Sequence, residues 1–153
     1  MNVRERAVYY LNLKPCTRQQ LIKYLKGKDY DYDDIIETVN ELQEYNFIDD
    51  ENYCRMYFER GFEKGHGVNR IKRELIDKGV ESYIIDQVYE ELEDVPDPLD
   101  IALEIGKSVI SRVDVEELDY DEKRKLQAKI GRRIVSRGFS TDIAYKVMGM
   151  LVK

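Results

Sequence analysis

The side chains best suited to catalysis or metal binding are few in this sequence, and their spacing fits neither task. The only histidine, His66, lies between Gly65 and Gly67, and no second histidine or cysteine pair stands at metal-ligand spacing. Cys16 and Cys54 occur in unrelated contexts without a Cys-x-x-Cys motif, so we expect reduced thiols in a cytoplasmic protein. The sequence therefore predicts no catalytic residue, no metal site and no cofactor.

An acidic cluster at residues 29–34 and a glycine-rich segment at residues 61–67 are the other candidates for ligand binding. The cluster lacks the glycine and the glutamate that a calcium loop requires, so we interpret its carboxylates as helix-start residues. The glycine-rich segment could surround a phosphate with amides at a helix beginning near Val68. It has no preceding strand and no Gly-Lys-Ser/Thr ending, which favours a structural turn.

Basic residues form a more informative pattern. The chain carries a net charge of −6, yet residues 123–137 contain seven basic side chains and no acidic one. At about 100° per residue, Lys125, Lys129, Arg132 and Arg133 fall within one quadrant of a helix. No aromatic residue interrupts that face, so phosphate contact or an acidic protein partner is favoured over base stacking.

A second basic set surrounds the glycine-rich segment, and for both sets a merely solvated helix face is the alternative. The predicted partner-binding residues are Arg60, Lys64, Arg70, Lys72, Arg73, Lys78, Lys125, Lys129, Arg132, Arg133 and Arg137.

Helical periodicity, which must position these residues, runs through the whole chain, and no strand-like alternation persists. Thr17 and Gln20 form a capping-box pattern after Pro15, which predicts a helix start. Glycines 61, 65 and 67 are expected to interrupt the next long helix, and Met56 and Ile76 are expected to face the core. No apolar run is long enough to predict a membrane span.

An internal repeat organises these helices. The segment at residues 74–80 recurs in altered form at residues 133–139, and in both copies an amphipathic run ends in a basic residue and a glycine. Gly79 is placed to act as a left-handed helix C-terminal cap. Counting about nine helices, we predict an all-α protein of three three-helix repeats: residues 1–49, 50–95 and 96–153. Such arrays offer lateral surface for binding rather than a deep cleft.

Four segments together resemble RecX, the family that regulates the bacterial RecA recombinase. They read TRQQLxxYL from residue 17, LxxYNFIDDENY from residue 42, GxGxxxIxxELxxKGV from residue 65 and RxxxRGFS from residue 133. The pattern departs from the family at Cys54, where alanine is usual, at Val68, where proline is common, and at Gly106, where a lysine is expected.

The resemblance implies three tandem three-helix repeats in an elongated, curved array. It further implies a cytoplasmic, monomeric, non-enzymatic protein that binds RecA and the RecA–DNA filament and limits ATP hydrolysis and strand exchange. Direct contact with DNA is a weaker expectation, and no membrane contact is expected. Two other readings stay open: a direct DNA binder with tandem helix-turn-helix-like units, and an α-helical hydrolase or metal enzyme.

Overall fold

The chain is all α-helical, as the sequence predicts, in a computed structural model that describes residues 1–153. A short 3-10 helix, Val115–Glu117, lies in the acidic connector between the seventh and eighth helices. The nine α helices are α1 Val3–Leu13, α2 Arg18–Lys26, α3 Tyr32–Glu44, α4 Asp50–Glu63, α5 Val68–Asp77, α6 Ser82–Glu91, α7 Pro98–Ile110, α8 Tyr120–Ser136 and α9 Thr141–Leu151.

These helices form two compact units that are interleaved along the chain. The first unit comprises residues 1–58 and 73–92, and the second comprises residues 59–72 and 93–153. Each predicted repeat contains three helices, but α4 and α5 are divided between the two units. The three repeat boundaries and the elongated, curved shape therefore stay predictions.

In the first unit, α1, α2 and α3 pack around a small apolar core. Each large aliphatic side chain buried there contributes about 1.5–3 kcal/mol through the area removed from water. The predicted capping box at the start of α2 is confirmed, since Thr17 and Gln20 each accept the other's backbone N–H with their side chains. The fully buried members of this core are Ala7, Leu21, Leu25, Ile35 and Val39.

In the second unit, α7, α8 and α9 enclose a separate core. Helix α8, with 17 residues, begins at a capping box between Asp119 and Glu122. Its buried side chains Ile130 and Ile134 lie one turn apart and hold one face of the helix inward. Its opposite faces are therefore directed outward.

Three helices end at a glycine in the left-handed conformation: Gly65 at φ +77°, Gly79 at φ +89° and Gly138 at φ +100°. After Gly79, the N–H of Val80 donates to the Leu75 carbonyl, which would otherwise be unsatisfied at the helix end. The predicted left-handed cap at Gly79 is confirmed.

The expected interruption at Gly65 and Gly67 is confirmed, since both lie between α4 and α5, but the expectations for Gly61, Met56 and Ile76 are wrong. Helix α4 continues through Gly61 to Glu63, because this buried glycine makes room for a neighbouring side chain: a Cβ there would lie 2.6 Å from Ile71 Cδ1. Met56 and Ile76 are exposed at 36% and 54%. In α4 the buried positions belong instead to Cys54 and Phe58, which lie one turn apart.

Candidate interaction surface

The basic face of α8 is an exposed surface, as the spacing predicts. Lys125, Lys129, Arg132 and Arg133 are all exposed, while Ile130 and Ile134 on the inward face are fully buried. The rigid three-helix packing of the second unit thus presents four cations on one side of one helix. Arg137, the C-terminal cap residue, is half-buried and lies at the end of this face.

The middle basic set is not gathered on one face. Arg60 and Lys64 are exposed near the end of α4, whereas Arg70 and Lys72 in α5 are half-buried. At about 100° per residue, Arg70 and Lys72 point to opposite sides of the apolar stripe of α5. Within the second unit, these four residues therefore do not share one helix face as the α8 residues do.

The other two members of that set belong to the first unit. Arg73 is exposed, and Lys78 is half-buried with its ammonium nitrogen 5.5 Å from the centre of the Tyr57 ring. Such a cation–π contact contributes about 0.5–1 kcal/mol at an exposed site. A partner that engaged Lys78 would have to replace this contact.

The glycine-rich segment before α5 forms a packing junction rather than a phosphate cradle. Within the second unit, the Gly67 N–H donates to the Arg137 carbonyl at 2.7 Å, and the Asn69 N–H donates to the Gly138 carbonyl at 3.2 Å. A Cβ on Gly67 would lie 2.4 Å from the Gly138 oxygen, and a Cβ on Gly138 would lie 2.3 Å from Arg70 Cβ. The amides proposed for an anion are thus occupied by the C-terminal carbonyls of α8.

The same junction occurs in the first unit between α2 and α5. The Thr17 hydroxyl donates to the Lys78 carbonyl at 2.7 Å, and a Cβ on Gly79 would lie 2.5 Å from Gln19 Cβ. The repeated glycine in the sequence is thus explained by helix packing. The glycine ends one helix and also makes room for the start of an earlier one.

The copy in the first repeat lacks this packing role. Asp29 follows Leu25 by four residues, as Gly79 follows Leu75, and it adopts the same left-handed conformation at φ +62°. Asp29 is exposed rather than packed into the core. Aspartate tolerates this backbone region better than most residues, which explains why glycine is dispensable there.

Sequence reasoning missed an apolar groove between α8 and α9. It has a volume of about 550 Å³ and runs beside Arg132 of the basic face. Tyr145 on its α9 side is 69% exposed, and Val135 on its α8 side is 43% exposed. In the sequence, the only signal of this groove was that the apolar residues Val135 and Tyr145 lie off the buried stripes of their helices. Its lining residues are Ala128, Gly131, Arg132, Val135, Ser136, Thr141, Ala144, Tyr145 and Met148.

A shallower apolar depression adjoins the other side of the basic face. Its volume is about 320 Å³, and its lining residues are Val113, Leu118, Glu122, Lys125, Leu126 and Lys129. The α8 cations are therefore bordered by apolar surface on both flanks. A partner that contacts this face can add apolar contacts to its charge contacts.

The two cysteines lie in the core and are not activated. Cys54 is fully buried and Cys16 is 6% exposed. Burial, with a smaller contribution from the Asp50 carboxylate, raises the pKa of the Cys16 thiol to about 11 and that of Cys54 to about 12. Both are therefore protonated at neutral pH, whereas a nucleophilic cysteine needs a lowered pKa.

Within residues 1–153 no three histidine, cysteine, aspartate or glutamate side chains converge as metal ligands. None of the helices combines the length and the apolar character needed to cross a bilayer.

Comparison with known proteins identifies the family. Residues 4–42 match the family model described as RecX, first three-helix domain, and residues 49–88 match RecX, second three-helix domain. A "Regulatory protein RecX" from Corynebacterium efficiens is 30% identical over 95% of this chain and 71% of its own length. A namesake from Streptococcus uberis is 30% identical over 95% of this chain and 54% of its own length. The chain thus spans about half the length of that relative, and a Streptococcus agalactiae relative is covered to a similar 52%.

Solved structures agree with this assignment. The crystal structure of RecX from Lactobacillus salivarius superimposes with a TM-score of 0.81 and 25% identity, covering 97% of this chain and 94% of that one. A second crystal structure, of regulatory protein RecX, gives a TM-score of 0.79 at 19% identity and supports the fold alone. By sequence and by fold, this chain belongs to the RecX family.

Proposed function

We propose that this chain binds the RecA recombinase and its nucleoprotein filament, and that it mainly inhibits ATP hydrolysis and strand exchange in recombination and DNA repair. Family membership carries the proposal, because the named relatives that match almost the whole chain are regulatory proteins. We further propose that the protein acts as a cytoplasmic monomer and is not an enzyme.

The basic face of α8 is the contact surface we favour. Its four exposed cations, Lys125, Lys129, Arg132 and Arg133, can approach acidic side chains or filament phosphates without first breaking a buried contact. The net charge of −6 opposes tight binding to bare DNA, where phosphate repulsion acts on the whole molecule. A filament offers protein surface beside phosphate and so suits this uneven charge distribution.

The direct test is RecA ATPase on single-stranded DNA with this protein titrated to stoichiometric excess. We expect hydrolysis to fall as the protein is added. An unchanged rate, under conditions in which RecA is fully assembled on the DNA, would reject the proposal.

The contact surface is tested by reversing all four α8 cations to glutamate. Because these side chains are exposed, the variant should keep its helical circular dichroism while its filament affinity falls. The matched control reverses four exposed lysines of the first unit that lie outside the predicted partner-binding set: Lys14, Lys23, Lys26 and Lys28. If the α8 variant binds with unchanged affinity and unchanged salt dependence, that face is only solvated surface.

Direct DNA binding is the second candidate, and an exposed aromatic side chain beside the α8 cations favours it. The Arg124 guanidinium lies 5.8 Å from the centre of the Tyr120 ring, which is exposed. The sequence alone had indicated no aromatic residue on this side. Binding to DNA in the absence of RecA should then weaken with salt by a log–log slope of about 0.7–0.9 for each phosphate contacted. A measured slope near zero with DNA alone would reject this candidate.

A further inference from the structure

The groove between α8 and α9 has the form of a docking site for a short peptide segment. Small side chains, including the buried Ala144, leave room between the helices, and Val135, Met148 and Tyr145 supply apolar contact. An added Cβ at Gly131 would lie 2.9 Å from Met148 Sδ, so the two helices already meet closely beneath the groove. The groove is thus a gap between well-packed helices rather than a packing defect in the core.

The length of the groove limits what can bind there. Its α8 wall extends from Ala128 to Ser136, which at 1.5 Å per residue is about 12 Å, or two helical turns. That length accepts apolar side chains spaced one turn apart, and the volume of about 550 Å³ falls within the range for binding pockets. An amphipathic helix presents side chains at this spacing when it lies in an apolar groove.

The charges around the groove favour a ligand that carries negative charge. Arg132 is the only charged residue among the lining side chains, and Lys125 lies on the adjoining face of α8. Towards the start of α8, Arg124 and Asp121 lie on the same side by helical spacing, while Asp142 is the acidic residue on the outer side of α9. On the α8 edge the three cations thus outnumber the one carboxylate, in a chain whose net charge is negative.

We propose that this groove binds an acidic amphipathic segment of a protein partner, with apolar side chains in the groove and a carboxylate on Arg132. The inference rests on the proposed regulatory function, because it assigns one surface through which the partner would be held. Nucleic acid fits less well, since the lining offers a single cation and a mostly apolar surface, whereas phosphate binding requires several cations.

The test uses a fluorescently labelled 14-residue peptide with leucines at i, i+4 and i+7, glutamates at four outward positions and alanines elsewhere, and circular dichroism checks its helicity. Binding to the full chain is followed by fluorescence anisotropy, with a peptide carrying lysine in place of glutamate as the charge control. We expect saturable binding of the acidic peptide and at least tenfold weaker binding of the lysine peptide.

Two exposed arginines of the second unit provide a matched pair of variants. Arg132 lines the groove, whereas Arg112 lies outside both the groove lining and the basic face of α8. Losing one charge-assisted contact should weaken the peptide complex about tenfold in Arg132→Glu, while Arg112→Glu should change it less than threefold. Tyr145→Ser, which removes groove wall, should also weaken binding, and Tyr120→Ser is its control because Tyr120 is exposed outside the groove lining.

Several outcomes would overturn the inference: no saturable binding of the acidic peptide, equal losses in the two arginine variants, displacement of the peptide by oligothymidylate, or peptide-independent self-association blocked by Tyr145→Ser. The RecA ATPase titration is run in parallel with the same variants. Peptide binding without ATPase inhibition rejects the proposed function and keeps the groove assignment. Inhibition that Arg132→Glu and Arg112→Glu weaken equally rejects the groove and keeps the function.

Discussion

Substitution of glycine by alanine at the α5–α8 junction should separate the two reasons for which this fold requires glycine. Gly65 has φ +77° but its nearest neighbour to an added Cβ is Ile101 Cγ2 at 4.0 Å, so Gly65→Ala isolates the backbone effect. Gly67 has no positive φ, but its Cβ would lie 2.4 Å from the Gly138 oxygen, so Gly67→Ala isolates the contact. Gly138→Ala combines both effects.

The magnitudes follow from these geometries. Placing a Cβ in the left-handed region costs about 1–2 kcal/mol, which we expect for Gly65→Ala. Gly67→Ala must move the junction apart and strain or break two buried hydrogen bonds, to the Arg137 and Gly138 carbonyls, at about 1–3 kcal/mol for each group left unsatisfied. We expect a loss of about 2–4 kcal/mol there. Gly138→Ala should cost about 3–5 kcal/mol, because its Cβ also meets Arg70 backbone nitrogen at 2.7 Å.

Urea unfolding followed by circular dichroism at 222 nm measures these differences, provided that the m-value is unchanged. The order Gly138 > Gly67 > Gly65 is the essential result. If Gly67→Ala is as stable as the parent, the contact with Gly138 does not constrain the fold, and helix packing does not explain the repeated glycine. If Gly65→Ala costs as much as Gly138→Ala, backbone conformation alone explains the glycines.

Three further predictions concern the first unit. Thr17→Val should lower the free energy of unfolding by about 1–2 kcal/mol, because the variant loses both the N-cap hydrogen bond and the hydroxyl donation to the Lys78 carbonyl. Thr17→Ser keeps the hydroxyl and should retain most of the stability. Urea unfolding measures the difference between the two variants. Asp29→Gly should raise stability by up to about 1 kcal/mol, since it relieves a left-handed non-glycine residue without touching a neighbour; a loss would show that the Asp29 side chain has a partner.

The third concerns the raised pKa values of Cys16 and Cys54. The unfolded thiols ionise near pH 9 while the folded ones hold their protons until about pH 11 and 12, so their stabilising contribution is complete below pH 9 and is lost as pH rises. Native alkylation by iodoacetamide at pH 8 should accordingly be far slower than in urea, and equal rates would contradict the burial.

Helix type and helix starts were predictable because they are local. Thr17 and Gln20 form a capping-box pattern within four residues, and the apolar stripe of α8, Leu126, Ile130 and Ile134, repeats at the helical period. The position of Gly79 after its helix likewise predicted a left-handed cap. Each of these features depends on residues that lie within one or two turns of each other.

Contacts between distant segments were not predictable, and they account for the errors. In the sequence Gly61 reads as a helix breaker, and only the contact with Ile71 shows that a residue without a Cβ is needed inside a continuous helix. Met56 and Cys54 are two residues apart, and periodicity alone did not decide which of them faces the core. The groove beside Arg132 depends on the packing of α9 against α8, which no spacing within either helix encodes.

The candidate site divides in the same way. The α8 cations share a face because they lie on one helix, and the sequence predicted this directly. The middle set was grouped by proximity in the sequence, but the turn between α4 and α5 and the half-buried positions of Arg70 and Lys72 separate its members. Their role in partner binding stays a prediction for both groups.

The junction also sets an order of events during synthesis. The Gly67 amide cannot form its hydrogen bond until Arg137, 70 residues later (137 − 67), has been synthesised. The Thr17 hydroxyl likewise has no acceptor until Lys78, 61 residues later, has been synthesised. At about 5–20 residues per second, the ribosome leaves each helix start without its final acceptor for roughly 3–14 seconds. Water must solvate the Gly67 amide during that interval. Newly made chains should therefore be most vulnerable to proteolysis at the α4–α5 turn until α8 has emerged.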